Sequence, residues 1–391
     1  MAADVTLVDR RNHHVFQPLL YQVATAALSP GDIAAPIRWV LRHQRNLRVW
    51  LAEATRVDVE RKVLVLADGE VPYDYLILSP GSTHAYFGHD QWREHAPGLK
   101  TLDDALAMRR RVLLAFERAE RATDKLTQRR LLTFVVVGGG PTGVELAGAL
   151  AEISRHALAH DFRAISPESA RIILIEGSPS LLAAYPPDLS AFAKSALERL
   201  GVAVWTGTTV TAIEPGQVHV GTEIIAAETI LWAAGVSASP IGASLGVPLD
   251  RAGRVLIHDD LTVPGHPEIF VVGDLAALKH TDGTWLPGVA QVAIQEATHA
   301  GANIRRAIAG QPMTPFAYSN LGNLATIGRN SAVADLPAFK MKGYPAWLFW
   351  LFVHVVKLVG FRNRLSVLLQ WSTSYLTYQR SVRLITGRDE R

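Results

Sequence analysis

A run of closely spaced glycines is the feature of this 391-residue sequence that most restricts its fold. The apolar segment 131–137 (LLTFVVV) leads into the turn GGGPTG, and a helix-like segment with small residues at its start follows at 144–158. In G-x-G-x-x-G the first glycine permits a tight turn, the second lets the backbone approach a pyrophosphate, and the third lets helix and strand pack closely. The segment predicts a doubly wound α/β domain that binds a dinucleotide at Gly138, Gly140 and Gly143, with a ligand-free glycine turn as the alternative.

An acid at the end of a later strand favours NADH over NADPH. The segment 171–176 (RIILIE) indicates a buried strand that ends in Glu176, 33 residues after Gly143, because the segment 155–170 lengthens the connection. A carboxylate at this place accepts hydrogen bonds from ribose hydroxyls and repels a 2′-phosphate. No Lys or Arg follows until Lys194. An ordinary strand-end acid is the alternative.

Parts of this unit occur twice in the chain. The segment 4–9 (DVTLVD) repeats the pattern that ends in Glu176, and 74–81 (DYLILSPG) repeats the acid, apolar run and glycine of 228–235 (ETILWAAG). Two copies of a nucleotide-binding unit are the simplest interpretation, and Asp9 is then predicted to bind a second dinucleotide unless it is an ordinary strand-end acid. Only eight residues precede it, whereas a strand, glycine turn and helix need about 25 to 30. We therefore expect the chain to begin after its own first glycine turn.

Another strand-end motif predicts contacts with a flavin. The segment IFVVGDLAAL places Gly273 and Asp274 at the end of a buried strand, where a carboxylate can bind the hydroxyls of a flavin dinucleotide. The N-terminus of the helix predicted at 288–304 can stabilise negative charge on a reduced flavin ring. Gln291 and Gln295 lie four residues apart and share one face of this helix. The alternatives are a simple Gly-Asp turn and an ordinary polar helix face.

The repeat sets the expected domain order. Residues 1–105 are predicted to form the first part of a flavin-binding domain, incomplete at its N-terminus, and residues 106–252 an NADH-binding domain. Residues 253–330 are predicted to complete the flavin-binding domain, and residues 331–391 to form a tail. The segment 102–130 is predicted as a solvent-facing helix that links the copies. The fold class is therefore α/β, with two doubly wound, Rossmann-like dinucleotide-binding domains and a C-terminal amphipathic helical tail.

The absence of cysteine excludes several kinds of redox site. With no Cys in the sequence, disulfides, iron–sulfur clusters, zinc–thiolate sites and a cysteine nucleophile are impossible. No metal site is predicted. Any redox chemistry must belong to a bound organic cofactor.

The C-terminal segment combines positive charge with an apolar, aromatic run. Residues 340–391 contain nine Lys or Arg against two acids, a net charge of +7, while the whole chain carries +3. An anionic lipid surface is therefore the expected partner of this segment, in preference to nucleic acid. The apolar run 345–361 is interrupted by His354 and Lys357, and a spanning helix needs about 20 apolar residues.

An interfacial helix is the interpretation that fits this composition. Trp347, Trp350, Trp371 and Tyr375 suit the headgroup boundary of a bilayer. A buried core or dimer helix and a single transmembrane span are the alternatives. No cleavable signal peptide is visible at the N-terminus.

The sequence resembles the type II NADH dehydrogenases over nearly its whole length. The resemblance rests on VVVGGGPTGVELAGALAE with Glu176, NHHVFQPLLYQVATAALSPGDIAAPIR at 12–38, GD at 273–274, AQVAIQ at 290–295 and FRNRLSVLLQWSTSYLTY at 361–378. Members of this family are single-subunit, FAD-containing NADH:quinone oxidoreductases that do not pump protons. The resemblance implies a two-dinucleotide-binding flavoprotein in which NADH passes a hydride to FAD, and two electrons then reach a membrane quinone, ubiquinone or menaquinone.

The resemblance also assigns roles to individual positions. It implies that NADH is held by Gly138, Gly140, Gly143, Glu176, Ala234 and Gly235, and that FAD contacts Asp9, Gln17, Pro18, Leu19, Gly81, Gly273 and Asp274. It places Ala290, Gln291 and Gln295 where the flavin ring meets the quinone, and Glu145 near the nicotinamide as a candidate for proton handling. The chain departs from the family pattern in two ways: the first glycine-rich loop is absent before Asp9, and Ser79-Pro80-Gly81 replaces the usual Ala-Thr-Gly.

The resemblance implies a homodimer, and we expect it to lie peripherally on the cytoplasmic face of the cell membrane. The residues leave two other functions open: a flavoprotein reductase of a soluble iron–sulfur partner, and a flavin-free NADH-binding regulatory protein. The first would not need the aromatic, basic tail, and the second would be colourless after purification. A sulfide:quinone reductase shares the fold but requires cysteines that this chain lacks.

Overall fold

The computed structural model describes residues 3–280, 282–377 and 382–386. Packing divides the chain into two compact units, each assembled from three separate segments. Unit 1 comprises residues 1–12, 36–84 and 236–321, and unit 2 comprises residues 13–35, 85–235 and 322–391. The four predicted domain ranges concern cofactor binding, which packing alone does not test, and they stay predictions.

Unit 2 is built on a four-stranded parallel sheet. Its strands lie in the order Val202–Thr206, Arg171–Glu176, Thr133–Val137 and Thr229–Trp232. The strand Thr133–Val137, which leads into the glycine turn, has neighbours on both edges, and all five of its residues are buried. Its apolar and β-branched residues suit a strand that is covered on both faces.

Antiparallel sheets and helices complete unit 2. One sheet contains Val210–Glu214, Gln217–Val220 and Glu223–Ala226, and another contains Asn323–Thr326, Ala332–Asp335 and Lys340–Gly343; the short strands are His13–Val15 and Ala34–Pro36. The helices are Gln17–Leu19, Leu20–Ala24, Pro30–Ile33, Asp90–Glu94, Leu102–Arg121, Lys125–Leu131, Pro141–Glu152, Ile153–Ala157, Pro167–Ser169, Pro187–Arg199, Tyr344–Lys357 and Phe361–Thr377. Four of them are not α-helices: Gln17–Leu19, Asp90–Glu94 and Pro167–Ser169 are 3₁₀ turns, and Ile153–Ala157 is a π-helical turn.

Unit 1 contains counterparts of two unit 2 strands, but in separate sheets. Val5–Asp9 pairs in parallel with Leu47–Leu51, and Leu76–Leu78 pairs in parallel with His266–Val271. In unit 2 the two counterparts are both paired with Thr133–Val137. Among the described residues no strand joins the two unit 1 sheets in this way.

The other elements of unit 1 are short, apart from one long helix. Its remaining strands are Ala54–Asp58, Val63–Leu66, Glu70–Pro72, Ser82–His84, Val236–Ala238, Val255–Leu256, Thr262–Val263 and Ala276–Ala277, and its helices are Ile37–Val40, Pro240–Leu245, Gly273–Leu275 and Ala290–Ile308. The strand pairs predicted at 63–71 and 218–225 are both present as antiparallel hairpins, one in each unit.

The segment predicted as one solvent-facing helix forms two helices. These are Leu102–Arg121 and Lys125–Leu131, and each begins at a side chain that accepts a hydrogen bond from its first turn. Met108, Val112 and Phe116 are buried in the core of unit 2. One face of the longer helix is therefore packed, and the prediction that the segment faces solvent was wrong for this face. Apolar residues at spacings of three and four form a packing stripe even between many charges.

Two helices form the described part of the tail. We call Tyr344–Lys357 the first tail helix and Phe361–Thr377 the second tail helix. Gly360, with a φ of +90°, lies between them in a conformation that favours glycine. Trp350 and Val367 are buried in the unit 2 core, so each helix has one packed face.

No helix within residues 3–280, 282–377 and 382–386 is both long and apolar enough to span a bilayer. Three of the basic residues counted in the tail, Arg380, Arg388 and Arg391, lie outside the described residues.

A polar seam fastens the second tail helix to the N-terminal part of unit 2. We define the seam by the side chains Gln22, Asp32, Ser366, Gln370 and Trp371. The carboxylate of Asp32 accepts hydrogen bonds from Ser366 Oγ at 2.7 Å and Gln370 Nε2 at 2.8 Å. Trp371 Nε1 donates to Gln22 Oε1 at 2.8 Å. Asp32 is 8% exposed and Gln22 is 9% exposed, so these bonds, together with one from the Ser29 N–H to Asp32 at 2.8 Å, offset the cost of burying polar atoms.

Substitution of two helix glycines by alanine is expected to have opposite effects on stability. A Cβ on Gly148, in Pro141–Glu152, would lie 2.9 Å from the carbonyl oxygen of Ile327, so Gly148→Ala should lower the free energy of unfolding by about 1–3 kcal/mol. A Cβ on Gly301, in Ala290–Ile308, would have no neighbour within 4 Å, so Gly301→Ala should raise it by about 0.5–1 kcal/mol. Urea unfolding followed by circular dichroism measures both changes. Equal stability of the two variants would contradict the close approach at Gly148.

Candidate functional site

The glycine turn joins the central strand of unit 2 to the helix Pro141–Glu152, which we call the glycine-turn helix. Gly138 has a φ of +109°, and a Cβ there would lie 2.5 Å from the carbonyl carbon of Ala233. A Cβ on Gly143 would lie 1.8 Å from the carbonyl oxygen of Gly138. Gly140, the N-cap of the helix, has no atom within 4 Å of its Cβ position. The first and third glycines therefore satisfy the packing of the chain itself, while the second leaves room for a ligand at the helix N-terminus.

The strand-end acids of both units share one local geometry. The carboxylate of Glu176 accepts hydrogen bonds from the N–H groups of Gly139 at 2.5 Å and Ser178 at 2.6 Å. The carboxylate of Asp9 accepts one from the N–H of Arg11 at 2.8 Å, again two residues further along the chain. Glu176 thus lies beside the glycine turn, as the sequence pattern predicts, and Asp9 ends the corresponding strand of unit 1.

The positions predicted near the nicotinamide follow the edge strand of the same sheet. Ala234 and Gly235 come directly after this strand, and a Cβ on Gly235 would lie 2.5 Å from Phe87 Cζ. Phe87 is 68% exposed, although Tyr86 beside it is buried and stacks on Trp232 with ring centroids 5.1 Å apart. An exposed aromatic ring therefore covers Gly235, a contact that the sequence pattern does not reveal.

Glu145, in the second turn of the glycine-turn helix, has a strongly perturbed carboxyl group. Burial raises its pKa to about 8, although a contact with the N–H of Thr326 at 3.5 Å favours the ionised form. The charges of Glu145 and Asp335, together with burial, raise the pKa of Tyr185 nearby. A carboxyl group that titrates near neutral pH can take up or release a proton during turnover.

A cavity of about 120 Å³ in unit 2 has Glu145 in its wall. Its walls include Glu152 and His156 of the glycine-turn helix and the π-helical turn that follows it, Ile153–Ala157. Four aromatic residues of the two tail helices also line it: Trp347, Trp350, Trp371 and Tyr375. The aromatic residues predicted at a bilayer boundary therefore share this cavity with the residue predicted to handle protons. For Trp350 that prediction was wrong, because its ring is buried in the unit 2 core.

In unit 1, a buried acid holds the Gly-Asp turn predicted to contact FAD. Gly273 has a φ of +72°, and its N–H donates to Glu296 Oε2 at 2.6 Å. Burial and the charge of Asp274 raise the pKa of Glu296 to about 7, while the hydrogen bond from Gly273 favours ionisation. The hydroxyl of Ser82 donates to the carboxylate of Asp274. Sequence reasoning missed Ser82 and Glu296, although Glu296 directly follows the AQVAIQ segment.

Gln291 and Gln295, both predicted at the flavin–quinone contact, form hydrogen bonds to the backbone of a neighbouring chain segment. Gln291 Oε1 accepts a hydrogen bond from the N–H of Leu321 at 2.9 Å. Both amide atoms of Gln295 bond to the backbone of Ser319, at 2.9 and 3.0 Å. Ala290 is exposed at the N-terminus of their helix. The structure thus brings these residues together on one helix, and their role at a flavin–quinone contact stays a prediction.

The other predicted FAD contacts leave backbone surface free for a ligand. In unit 2 the 3₁₀ turn Gln17–Leu19 has Gln17 and Pro18 exposed and Leu19 fully buried. In unit 1 Gly81 has a φ of +73° and no atom within 4 Å of its Cβ position. An exposed turn and an open glycine suit the close approach of a cofactor, so these residues fit FAD.

Comparisons with known sequences establish the family. A family model described as pyridine nucleotide-disulphide oxidoreductase matches residues 1–301, and one described as NDH2 C-terminal domain matches residues 320–380. The type II NADH:quinone oxidoreductase NdhA of Mycobacterium tuberculosis is 44% identical, over 98% of this chain and 85% of that protein. Ndh of the same organism is 43% identical, over 98% and 86%. The chain belongs to the type II NADH:quinone oxidoreductase family.

Solved structures show the same fold. NDH2 of Plasmodium falciparum in complex with RYL-552 superposes with a TM-score of 0.90, covering 98% of this chain and 95% of that chain at 22% identity. The sulfide:quinone oxidoreductase of Aquifex aeolicus gives a TM-score of 0.71, covering 92% and 86% at 18% identity. The predicted α/β flavoprotein fold, enzyme class and use of FAD and NADH are confirmed for this type II enzyme. The roles of individual site residues stay predictions.

The raised pKa of Glu145 predicts a pH-dependent stability. Because its pKa of about 8 lies above the ordinary value of 4.5, its contribution to stability is fully present below pH 4.5 and is lost as the pH rises through 8. The free energy of unfolding of the unmodified protein should therefore fall relative to Glu145→Gln, by up to about 1.4 kcal/mol per pH unit between the two pKa values. Urea unfolding at several pH values measures the difference. Glu198→Gln, which changes an exposed acid, is the control, and parallel profiles for Glu145→Gln and the unmodified protein would show that the assignment is wrong.

Proposed function

We propose that this type II enzyme binds NADH at the glycine turn of unit 2 and transfers two electrons, through FAD, to a quinone from a lipid layer, without pumping protons. The glycine turn carries the proposal, because Gly140 is open beside a helix N-terminus that Gly138 and Gly143 hold rigidly in place. Both Mycobacterium tuberculosis relatives are type II NADH:quinone oxidoreductases by name. When bound, FAD supplies the redox chemistry: it accepts a hydride and passes two electrons on.

The residues of unit 2 orient NADH in this proposal. Backbone N–H groups at the start of the glycine-turn helix face the pyrophosphate beside Gly140. Glu176 accepts the ribose hydroxyls and disfavours a 2′-phosphate. Ala234 and Gly235 lie at the nicotinamide end, where Phe87 limits access of water. Orientation of this kind accounts for much of the rate enhancement in hydride transfer.

Residues of unit 1 hold FAD in this proposal. In unit 1, Asp9 and Asp274 bind sugar and ribityl hydroxyls, and Glu296 and Ser82 fix the turn that carries Asp274. The N-terminus of Ala290–Ile308 stabilises negative charge at the flavin ring. Gly81 supplies open backbone for the cofactor, and Gln291 and Gln295 lie toward the quinone. Glu145 handles a proton, supported by its raised pKa.

An apolar stripe on the first tail helix supports a lipid surface as partner. Tyr344, Leu348, Phe352 and Val356 recur every four residues and are 48%, 46%, 66% and 48% exposed. The flanking residues include Lys340, Lys342, Lys357, Arg362 and Arg364, which suit anionic headgroups. This surface favours a lipid-soluble acceptor over a soluble iron–sulfur partner. Peripheral binding at the cytoplasmic face, a homodimer and the choice between ubiquinone and menaquinone belong to the same proposal.

Gly140 provides a direct test of the NADH site. Its φ of −70° is ordinary for any residue, so Gly140→Ala should fold normally, but its methyl group would occupy the space of the pyrophosphate. We expect the KM for NADH to rise at least tenfold, about 1.4 kcal/mol, in an assay with a water-soluble quinone, and the absorbance of bound flavin to bleach only at higher NADH concentrations. Gly301→Ala, at an open helix position, is the control. An unchanged KM would place NADH elsewhere.

The apolar stripe provides a test of lipid binding. Leu348→Glu combined with Phe352→Glu places charge where side chains would enter a bilayer, and should weaken binding to phosphatidylglycerol-containing vesicles by more than about tenfold, since each side chain contributes roughly 1.5–3 kcal/mol when buried. NADH oxidation with a water-soluble quinone should persist. Ile224→Glu, at another exposed apolar residue of unit 2 (61% exposed), should bind vesicles normally. If the double variant floats with vesicles as well as the unmodified protein does, this surface does not bind lipid.

A further inference from the structure

Three titratable side chains follow one face of the glycine-turn helix and its π-helical continuation. Glu145, Glu152 and His156 are separated by seven and four residues, spacings that keep side chains on one helix face. At 1.5 Å per residue the two steps span roughly 10 Å and 6 Å. All three line the 120 Å³ cavity. His156 is exposed, while Glu145 is partly buried, so the row leads from solvent to the carboxyl group whose pKa is raised.

The cavity is large enough and polar enough to hold water between these groups. A volume of 120 Å³ corresponds to about four water molecules at roughly 30 Å³ each. Tyr21, Gln22 and Thr25 contribute polar groups to its wall. Water molecules hydrogen-bonded in this cavity would bridge distances that the side chains cannot bridge directly.

Other charged and titratable groups face the row from the neighbouring elements. Glu152 accepts a hydrogen bond from the N–H of Arg329, whose guanidinium lies 4.3 Å from the ring centroid of Tyr375. At the other end of the row, Tyr185 interacts electrostatically with Glu145 and with Asp335. The Arg329 N–H therefore holds the Glu152 carboxylate in the cavity wall, between Glu145 and His156 in the row.

The proposed reaction takes up one proton from solution. The balance is NADH + H⁺ + quinone → NAD⁺ + quinol: the hydride supplies two electrons and one hydrogen, and the second hydrogen of the quinol comes from solution. We propose that His156 and Glu152 relay this proton through cavity water to Glu145, an inference that rests on the proposed proton-handling role of Glu145. The π-helical turn that contains His156 is a geometry often found at functional sites.

Substitutions along the row test the relay in the full, flavin-loaded protein with a water-soluble quinone. Glu152→Gln keeps an acceptor for the Arg329 N–H but cannot carry a proton, and should lower kcat at least about tenfold, enlarge the solvent deuterium isotope effect and leave the KM for NADH unchanged. Glu152→Asp should restore most of the rate. His156→Ala should slow turnover several-fold above pH 7, and added imidazole should restore it. Glu198→Gln and His160→Ala, at exposed positions outside the cavity wall, are the matched controls.

A readout independent of turnover follows the carboxyl proton itself. The infrared C=O band of protonated Glu145, identified by its loss in Glu145→Gln, should exchange in D₂O more slowly in Glu152→Gln than in the unmodified protein. If Glu152→Gln and His156→Ala both keep the kcat, the isotope effect and the exchange rate of the unmodified protein, the relay is overturned. The role of Glu145 would still stand in that case if Glu145→Gln is slow. If Glu152→Gln is slow, Glu152→Asp does not restore the rate and proton exchange at Glu145 is normal, Glu152 has a structural role. That result would also overturn the relay. An unimpaired Glu145→Gln variant would instead remove the proposed role of Glu145, and the relay with it.

Discussion

The contact between Gly143 and the carbonyl oxygen of Gly138 is the constraint on which unit 2 depends. With only 1.8 Å available to a Cβ at this point, the helix can approach the turn only if its third residue lacks a side chain. That approach directs the helix N-terminus toward the open space at Gly140 and brings Glu176 within hydrogen-bonding distance of Gly139. The buried strand Thr133–Val137 anchors the arrangement because it is paired on both edges. A single short contact therefore positions both the backbone that we propose binds phosphate and the acid that we propose binds ribose.

Each unit contains a glutamate with a perturbed carboxyl group. The chain has no cysteine, yet each unit contains a glutamate whose pKa burial has raised into the neutral range, to about 8 for Glu145 and about 7 for Glu296. The two have different surroundings. Glu296 accepts the N–H of Gly273 and fixes a turn, whereas Glu145 lines a cavity with other titratable groups. The same physical cause, desolvation, thus raises the pKa of a glutamate that fixes a turn in unit 1 and of one that lines a cavity in unit 2.

Local patterns predicted the parts of the site that lie close together in sequence. The glycine turn, the acid at Glu176 and the hairpins depend on short-range rules of spacing and periodicity, and they are present as expected. The contacts that sequence reasoning missed join distant segments: Ser82 and Asp274 are 192 residues apart, and Asp32 and Ser366 are 334 apart. No local pattern specifies such pairs. The linking helix was misjudged for the same reason, since its partner in the core lies elsewhere in the chain.

The polar seam affects whether the tail can be removed or exchanged. Asp32 and Gln22 lie in the N-terminal part of unit 2, but their hydrogen-bond partners Ser366, Gln370 and Trp371 are in the second tail helix. Truncating the tail would remove three donors from the carboxylate of Asp32 and the amide oxygen of Gln22. A tail grafted from a relative would need the same three donors in register. The second tail helix is therefore not a detachable module, because its sequence must match residues more than 300 positions upstream.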